Sequence, residues 1–155
     1  MTPLQPLIAL LAQTERQRDL ALADQAKALA ASKAAQAQAD QLLAYRGEYE
    51  ARWRAQFCQE GRIELVRCYQ GFVERLTQAV DQQARAAHNA QVQLERANTI
   101  VREHELKLAA VGRVVEQRLT ESRRDGERYD QKQTDELAAR VAWSRRAVRG
   151  PANLA

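Results

Sequence analysis

Aromatic residues make up only 5% of this 155-residue chain, and that scarcity sets the first limit on its fold. A globular core several layers deep needs bulky side chains to fill it, and a small chain with few rings has little to fill one with. Proline is absent from the interior. The three prolines stand at positions 3, 6 and 151, so none between them kinks or stops a helix. Cysteine is nearly absent too. Cys58 and Cys68 have no further cysteine and no paired histidines to work with, so they form neither a disulfide framework nor a zinc site and read as two semi-buried thiols.

Histidine is limited to His88 and His104, and neither has a carboxylate or cysteine grouping around it that would make it a ligand or a general base. There is no P-loop, dinucleotide fingerprint, HExxH or nucleophile elbow. No enzyme is expected, and no cofactor or metal. The formal charge of +4, with 28% charged residues of both signs well mixed, is too weak to single out nucleic acid or an anionic membrane as the partner. The start of the chain, MTPLQPLIALLA, carries no positive n-region, and its apolar run from Leu7 to Ala12 is too short for a signal-peptide core or a membrane span. A cytoplasmic protein with no direct membrane span is expected.

What is abundant is the set of helix formers Ala, Glu, Leu, Arg and Gln. Val73, Val80, Ala87, Leu94, Val101, Leu108 and Val115 recur every seven residues. Leu76, Ala84, Ala90, Ala97, Val111 and Leu119 interleave with them three or four residues away, which is the a/d spacing of a helix with a narrow seam for a second helix. Upstream, Leu4, Ile8, Leu11, Leu22, Leu29, Ala39 and Leu43 follow a softer helical pattern, interrupted by Glu15, Arg18, Gln25 and Gln36. Alanines over 21–39 let two backbones approach closely and so offer a thin interface there.

Gly61, in Gln59-Glu60-Gly61-Arg62, is the one good breaker between these two patterns. The expected architecture is all-α: a long antiparallel two-helix coiled-coil hairpin in a single domain spanning 1–155. Helix one covers about 3–59, with Thr2 as its cap, the turn about 60–62, and helix two about 63–147. Facing residues then have numbers that sum to about 121, pairing Tyr49 with Phe72, Tyr45 with Leu76 and Leu42 with Ala79. The heptad rows fade after Leu119, where the first helix runs out as a partner. The paired part is roughly 85 Å long at 1.5 Å per residue. A parallel homodimer through the same seam is the alternative, and it leaves that coincidence unexplained.

Residues 120–149 have little for a core, so an unpaired C-terminal helical extension is expected, held by the charge pairs Glu121–Arg124, Asp125–Arg128 and Glu136–Arg140. Arg145, Arg146 and Arg149 suit a helix C-terminus before Gly150-Pro151. A DNA-reading basic helix is disfavoured, because Asp125, Glu127, Asp130, Asp135 and Glu136 lie among these arginines, and no nucleic-acid partner is expected. Tyr45, Tyr49, Trp53 and Phe57, spaced four apart, form an aromatic ladder beside the turn. Spacing alone leaves two readings open, a core plug or a docking surface, with the plug favoured.

The segments LIALLAQTERQRDLALADQ near the N-terminus, YRGEY at 45–49, CYQGFVERLTQAV at 68–80 and YDQKQTDELAAR at 129–140 resemble the FliJ family of the bacterial flagellar export apparatus. The resemblance spans nearly the whole chain. It implies a hairpin similar to the stalk subunit of rotary ATPases. Such a protein inserts into the ring of the export ATPase hexamer, promotes ring assembly, couples the ring to the export gate and handles export chaperones.

The resemblance also implies that Gln38, Leu42, Tyr45, Tyr49, Phe72, Leu76, Ala79 and Gln83 dock on the export-gate membrane protein FlhA, which turns Tyr45 and Tyr49 from plug to docking surface. Gln83 stands where histidine is common in the family, and an amide does not titrate near neutral pH. Asp130, Gln131, Lys132, Asp135 and Glu136 match the family's C-terminal motif and are assigned to the ATPase ring. The equivalent stalk of a virulence-type injectisome and a structural homodimeric scaffold are the alternative functions.

Overall fold

The computed structural model describes residues 4–57 and 61–149. Two helices account for nearly all of them: α1, Leu4–Phe57, and α2, Ile63–Arg149. The two pack against each other, and there is no strand among the described residues. The hairpin is antiparallel, which leaves no place for the parallel zipper. Gly61 and Arg62 are non-helical between the elements. Thr2, Pro3, Cys58, Glu60, Gly150 and Pro151, invoked above for caps, turn and a semi-buried thiol, lie outside the described residues, and Cys68, expected to be semi-buried, is exposed.

Residues Thr14–Lys107 form one compact unit. Its register is fixed by hydrogen bonds across the seam. The Gln25 amide donates to the Asn98 side-chain oxygen at 2.7 Å, and the Ser32 hydroxyl to the Gln91 side-chain oxygen at 3.1 Å. Gln83 donates to the Gln38 side-chain oxygen at 3.1 Å and to the Ala35 carbonyl at 3.3 Å. Gln25, Ser32 and Gln83 thus sit at the interface with their polar groups paired, because each of the three finds a partner on the other helix.

The seam of α1 differs from the sequence reading. Its inner face runs through Thr14, Ala21, Ala28, Ser32, Ala35, Ala39 and Leu42, with Arg18 and Gln25 at alternating spacings of three and four. Leu22, Leu29 and Leu43, expected in the seam, are 38%, 41% and 51% exposed. Each lies one residue past a small or half-buried neighbour that takes the interior place. One position is about 100° of helix rotation, enough to move a side chain from the seam to its flank. The physical reason is close approach. Alanines and a serine allow α2 to come near with its larger Val80 and Val101, whereas leucines there would hold the backbones apart. On α2 the valine row stands as read, but Ala84 is exposed and Gln83 takes the inward place. His104 is half-buried in the seam row itself.

The second unit, among described residues, comprises 4–13 and 108–149. Leu4, Leu7 and Leu11 are half-buried and Ile8 is exposed, while Val115 is buried on α2. After Leu119 every residue from Thr120 to Arg149 is exposed, yet the helix continues through Gly126. The expected charge pairs are not those that close in this stretch: Glu121 takes Arg118 at 3.6 Å instead of Arg124, and Asp125–Arg128 and Glu136–Arg140 do not close within 4.0 Å. Local support comes from Gln133 donating to the Tyr129 hydroxyl at 2.8 Å, while the Thr134 and Ser144 hydroxyls fold back onto the Asp130 and Arg140 carbonyls, both at 2.9 Å, which satisfies the hydroxyls without strengthening the helix.

Candidate functional site

Heptad spacing determines which side chains share a surface. In unit Thr14–Lys107, Gln38 and Tyr45 on α1 and Phe72 and Ala79 on α2 flank the seam on one side, and Leu42, Tyr49, Leu76 and Gln83 are the seam residues next to them. These eight therefore form one strip across both helices. They are not equally available to a partner. Gln38 is exposed and Tyr45 is 48% exposed, whereas Leu42, Tyr49, Phe72, Ala79 and Gln83 are half-buried. Leu76 is 8% exposed and serves as the floor beneath the strip.

The aromatic ladder is more than one row on one helix. Tyr49 lies 4.3 Å from Phe72 between ring centroids, and the α1 rings step along at 6.2 Å, 5.8 Å and 5.2 Å from Tyr45 to Phe57. Tyr69 ties the cluster together. Its ring is 5.4 Å from Trp53 and meets Phe57 edge-on at 5.2 Å, and it stacks near Tyr49 at 6.3 Å. Such offset and edge-on pairs add about 0.5–1.5 kcal/mol each beyond burial. Tyr69 was not singled out in the sequence, although the pairing sum of about 121 places it across from Trp53. Tyr49, Trp53 and Phe57 pack against neighbouring rings, as the plug reading expects, while Tyr45 at the edge of the ladder is exposed.

Asp130, Gln131, Lys132, Asp135 and Glu136 are all exposed, in the other unit. Gln131 with Asp135 and Lys132 with Glu136 are four apart, so the group coats adjoining faces of a bare helix. Tyr129, Leu137, Val141, Trp143 and Val148 share that stretch and are exposed as well. Among the described residues no group of three His, Cys, Asp or Glu side chains could hold a metal ion, and no helix is long and apolar enough to cross a membrane.

A family model described as flagellar FliJ protein matches residues 2–147. The chain belongs to the FliJ family. It is thus a component of the flagellar export system, in a family that is not catalytic. No curated protein and no solved structure matches it significantly. The matched range takes in both the aromatic strip and most of the bare helix.

Proposed function

We propose that this FliJ-family protein is a non-catalytic stalk and adaptor. In this reading it sits in the cytoplasm against the inner-membrane export apparatus and enters the ring of the export ATPase hexamer through the helix carrying Asp130, Gln131, Lys132, Asp135 and Glu136. It engages the gate protein FlhA through the strip around Tyr45 and Tyr49, and it takes part in handling export chaperones. The observation that carries the reading is the helix from Thr120 to Arg149. An isolated helix in water is marginal unless something surrounds it, and this one retains exposed Leu137 and Val141 between charged residues. A ring of subunits would supply that surrounding.

The test has two arms. Adding the protein to its cognate ATPase raises hydrolysis and ring formation. Reversing charge with Asp135→Arg and Glu136→Arg reduces that stimulation several-fold and leaves binding to the gate intact. Tyr45→Ala does the opposite, and it is a cleaner probe than Leu76→Ala because Leu76 is buried. A well-folded sample with no effect on the ATPase would refute the stalk role. Equal loss of both activities in either variant would refute the division of labour.

A further inference from the structure

The flank of the hairpin facing away from the aromatic strip carries a second row of residues at heptad spacing. Leu22, Leu29 and Leu43 lie at the same heptad position of α1, with Gln36 filling the place between, and all are exposed. Across the seam, Ala84 and Gln91 of α2 occupy the matching flank. Between the two helices runs a groove of about 500 Å³ lined by Ala39, Asp40, Leu43, Ala84, Ala87 and His88 among others. A row of leucines repeating every seven residues beside a shallow groove has the geometry of a site for a third helix, with its own apolar seam set into the first two.

Charge indicates which helix fits. Take α1 from 22 to 50 and the opposing α2 stretch from 71 to 99. The flank with the leucines bears Asp40, Glu50, Glu74, Asp81 and Glu95 against Lys33 and the half-buried Arg46 of the adjoining seam row. The flank with the aromatic strip bears Asp24 and Glu48 against Lys27, Arg75 and Arg96. The chain is formally +4, yet one side of this unit is distinctly acidic and the other nearly balanced. Acidic rims beside an apolar row favour an incoming helix with cationic positions flanking its seam, and they repel one with anionic flanks.

We infer that the Leu22–Leu29–Leu43 flank is a docking site for a basic amphipathic helix of a partner protein, which completes a three-helix packing over Thr14–Lys107. The site is separate from the aromatic strip. Its occupancy does not depend on the stalk reading, because it rests on the hairpin alone.

The test uses the full chain and a fluorescent peptide of about four heptads with leucine at its seam positions and lysine at the flanking ones, beside a counterpart with glutamate flanks. Anisotropy shows saturable binding of the lysine peptide and none of the glutamate peptide. Leu22→Glu with Leu29→Glu weakens the lysine peptide at least about tenfold. Asp40→Lys with Asp81→Lys weakens it as well, and it admits the glutamate peptide. Tyr45→Ala, on the other flank, changes neither.

Equal binding of both peptides overturns the proposal, and so does lysine-peptide binding that ignores the leucine substitutions. Sedimentation supplies the remaining outcome. A dimer of the wild-type chain that Leu22→Glu with Leu29→Glu splits makes a second copy the occupant and overturns the partner assignment.

Discussion

The inner faces of α1 and α2 are built from opposite materials. α2 buries Leu76, Val80, Ala87, Val101 and Val115, a nearly unbroken apolar row. α1 buries Thr14, Ala21 and Ser32, and it sets Gln25 and Arg18 in the same line while its leucines stand on the flank. The two faces do different jobs. The row on α2 removes apolar surface from water and supplies most of the stabilisation, whereas the small and polar row on α1 sets distance and register through Gln25–Asn98 and Ser32–Gln91. A buried polar pair costs little when satisfied and penalises any slip that breaks it. A helix that needs few large side chains inside can place its leucines outside, where they serve another surface.

The largest test of this contrast lies on α2. Val101 is 5% exposed, and Val101→Asp places a carboxylate in the apolar seam. The expected loss is about 3 kcal/mol or more, read as a fall in the denaturation midpoint by far-UV circular dichroism. A loss below about 1 kcal/mol would mean that the α2 row is not what holds the hairpin. Next is Ala21→Leu on α1, which adds volume where closeness matters. Overpacking there costs about 1–3 kcal/mol, although the side chain is more apolar. A gain in stability would show that the alanine seam is not at contact distance.

Ser32→Ala comes third. Its hydroxyl donates to Gln91, which is exposed enough to turn to water, so the loss is limited to about 0.5–1 kcal/mol by the same measurement. Its sharper readout is register. Spin labels across the hairpin broaden in distance when Ser32→Ala is combined with Gln25→Ala, and unchanged distances would take the register role away from these residues.

The sequence exposed these two helices unequally for the same reason. In α2 the seven-residue recurrence of Val80, Ala87, Val101 and Val115 coincides with burial, so apolar pattern and inner face were one signal. In α1 they are separate signals. Following the largest apolar residues led to Leu22, Leu29 and Leu43, and the true seam is carried by Ala21, Ala28 and Leu42 one residue earlier. Small residues leave little trace in hydropathy, and their role emerges only once the facing valines are in place.

The eight positions named through the family resemblance do fall in pairs across the hairpin, as the pairing sum of about 121 requires: Gln83 bonds Gln38, and the Tyr49 ring meets Phe72. Even so, the sum could not tell that Leu76 lies beneath while Tyr45 stands out, which depends on the tilt of each side chain from the helix. The bare stretch after Leu119 was legible because an absence of apolar rows cannot be mistaken for a seam. Its ion pairs were not, since exposed charges three and four apart have several partners of nearly equal energy.

Leu42 and Leu43 supply the smallest effect and the most discriminating one. They are adjacent and chemically identical, so composition, helix propensity and the unfolded chain treat them alike. Only the direction each side chain takes from α1 separates them: Leu42 is half-buried at the seam, and Leu43 is 51% exposed on the flank. Replacing either with glutamine keeps helix propensity nearly constant. Leu42→Gln strips apolar contact from the interface and costs about 1–2 kcal/mol, while Leu43→Gln changes stability by no more than about 0.5 kcal/mol. Thermal denaturation of the pair side by side removes most shared error. Should Leu43→Gln prove the costlier change, α1 in solution turns its leucine row inward, and the division between a spacing face and a free flank fails with it.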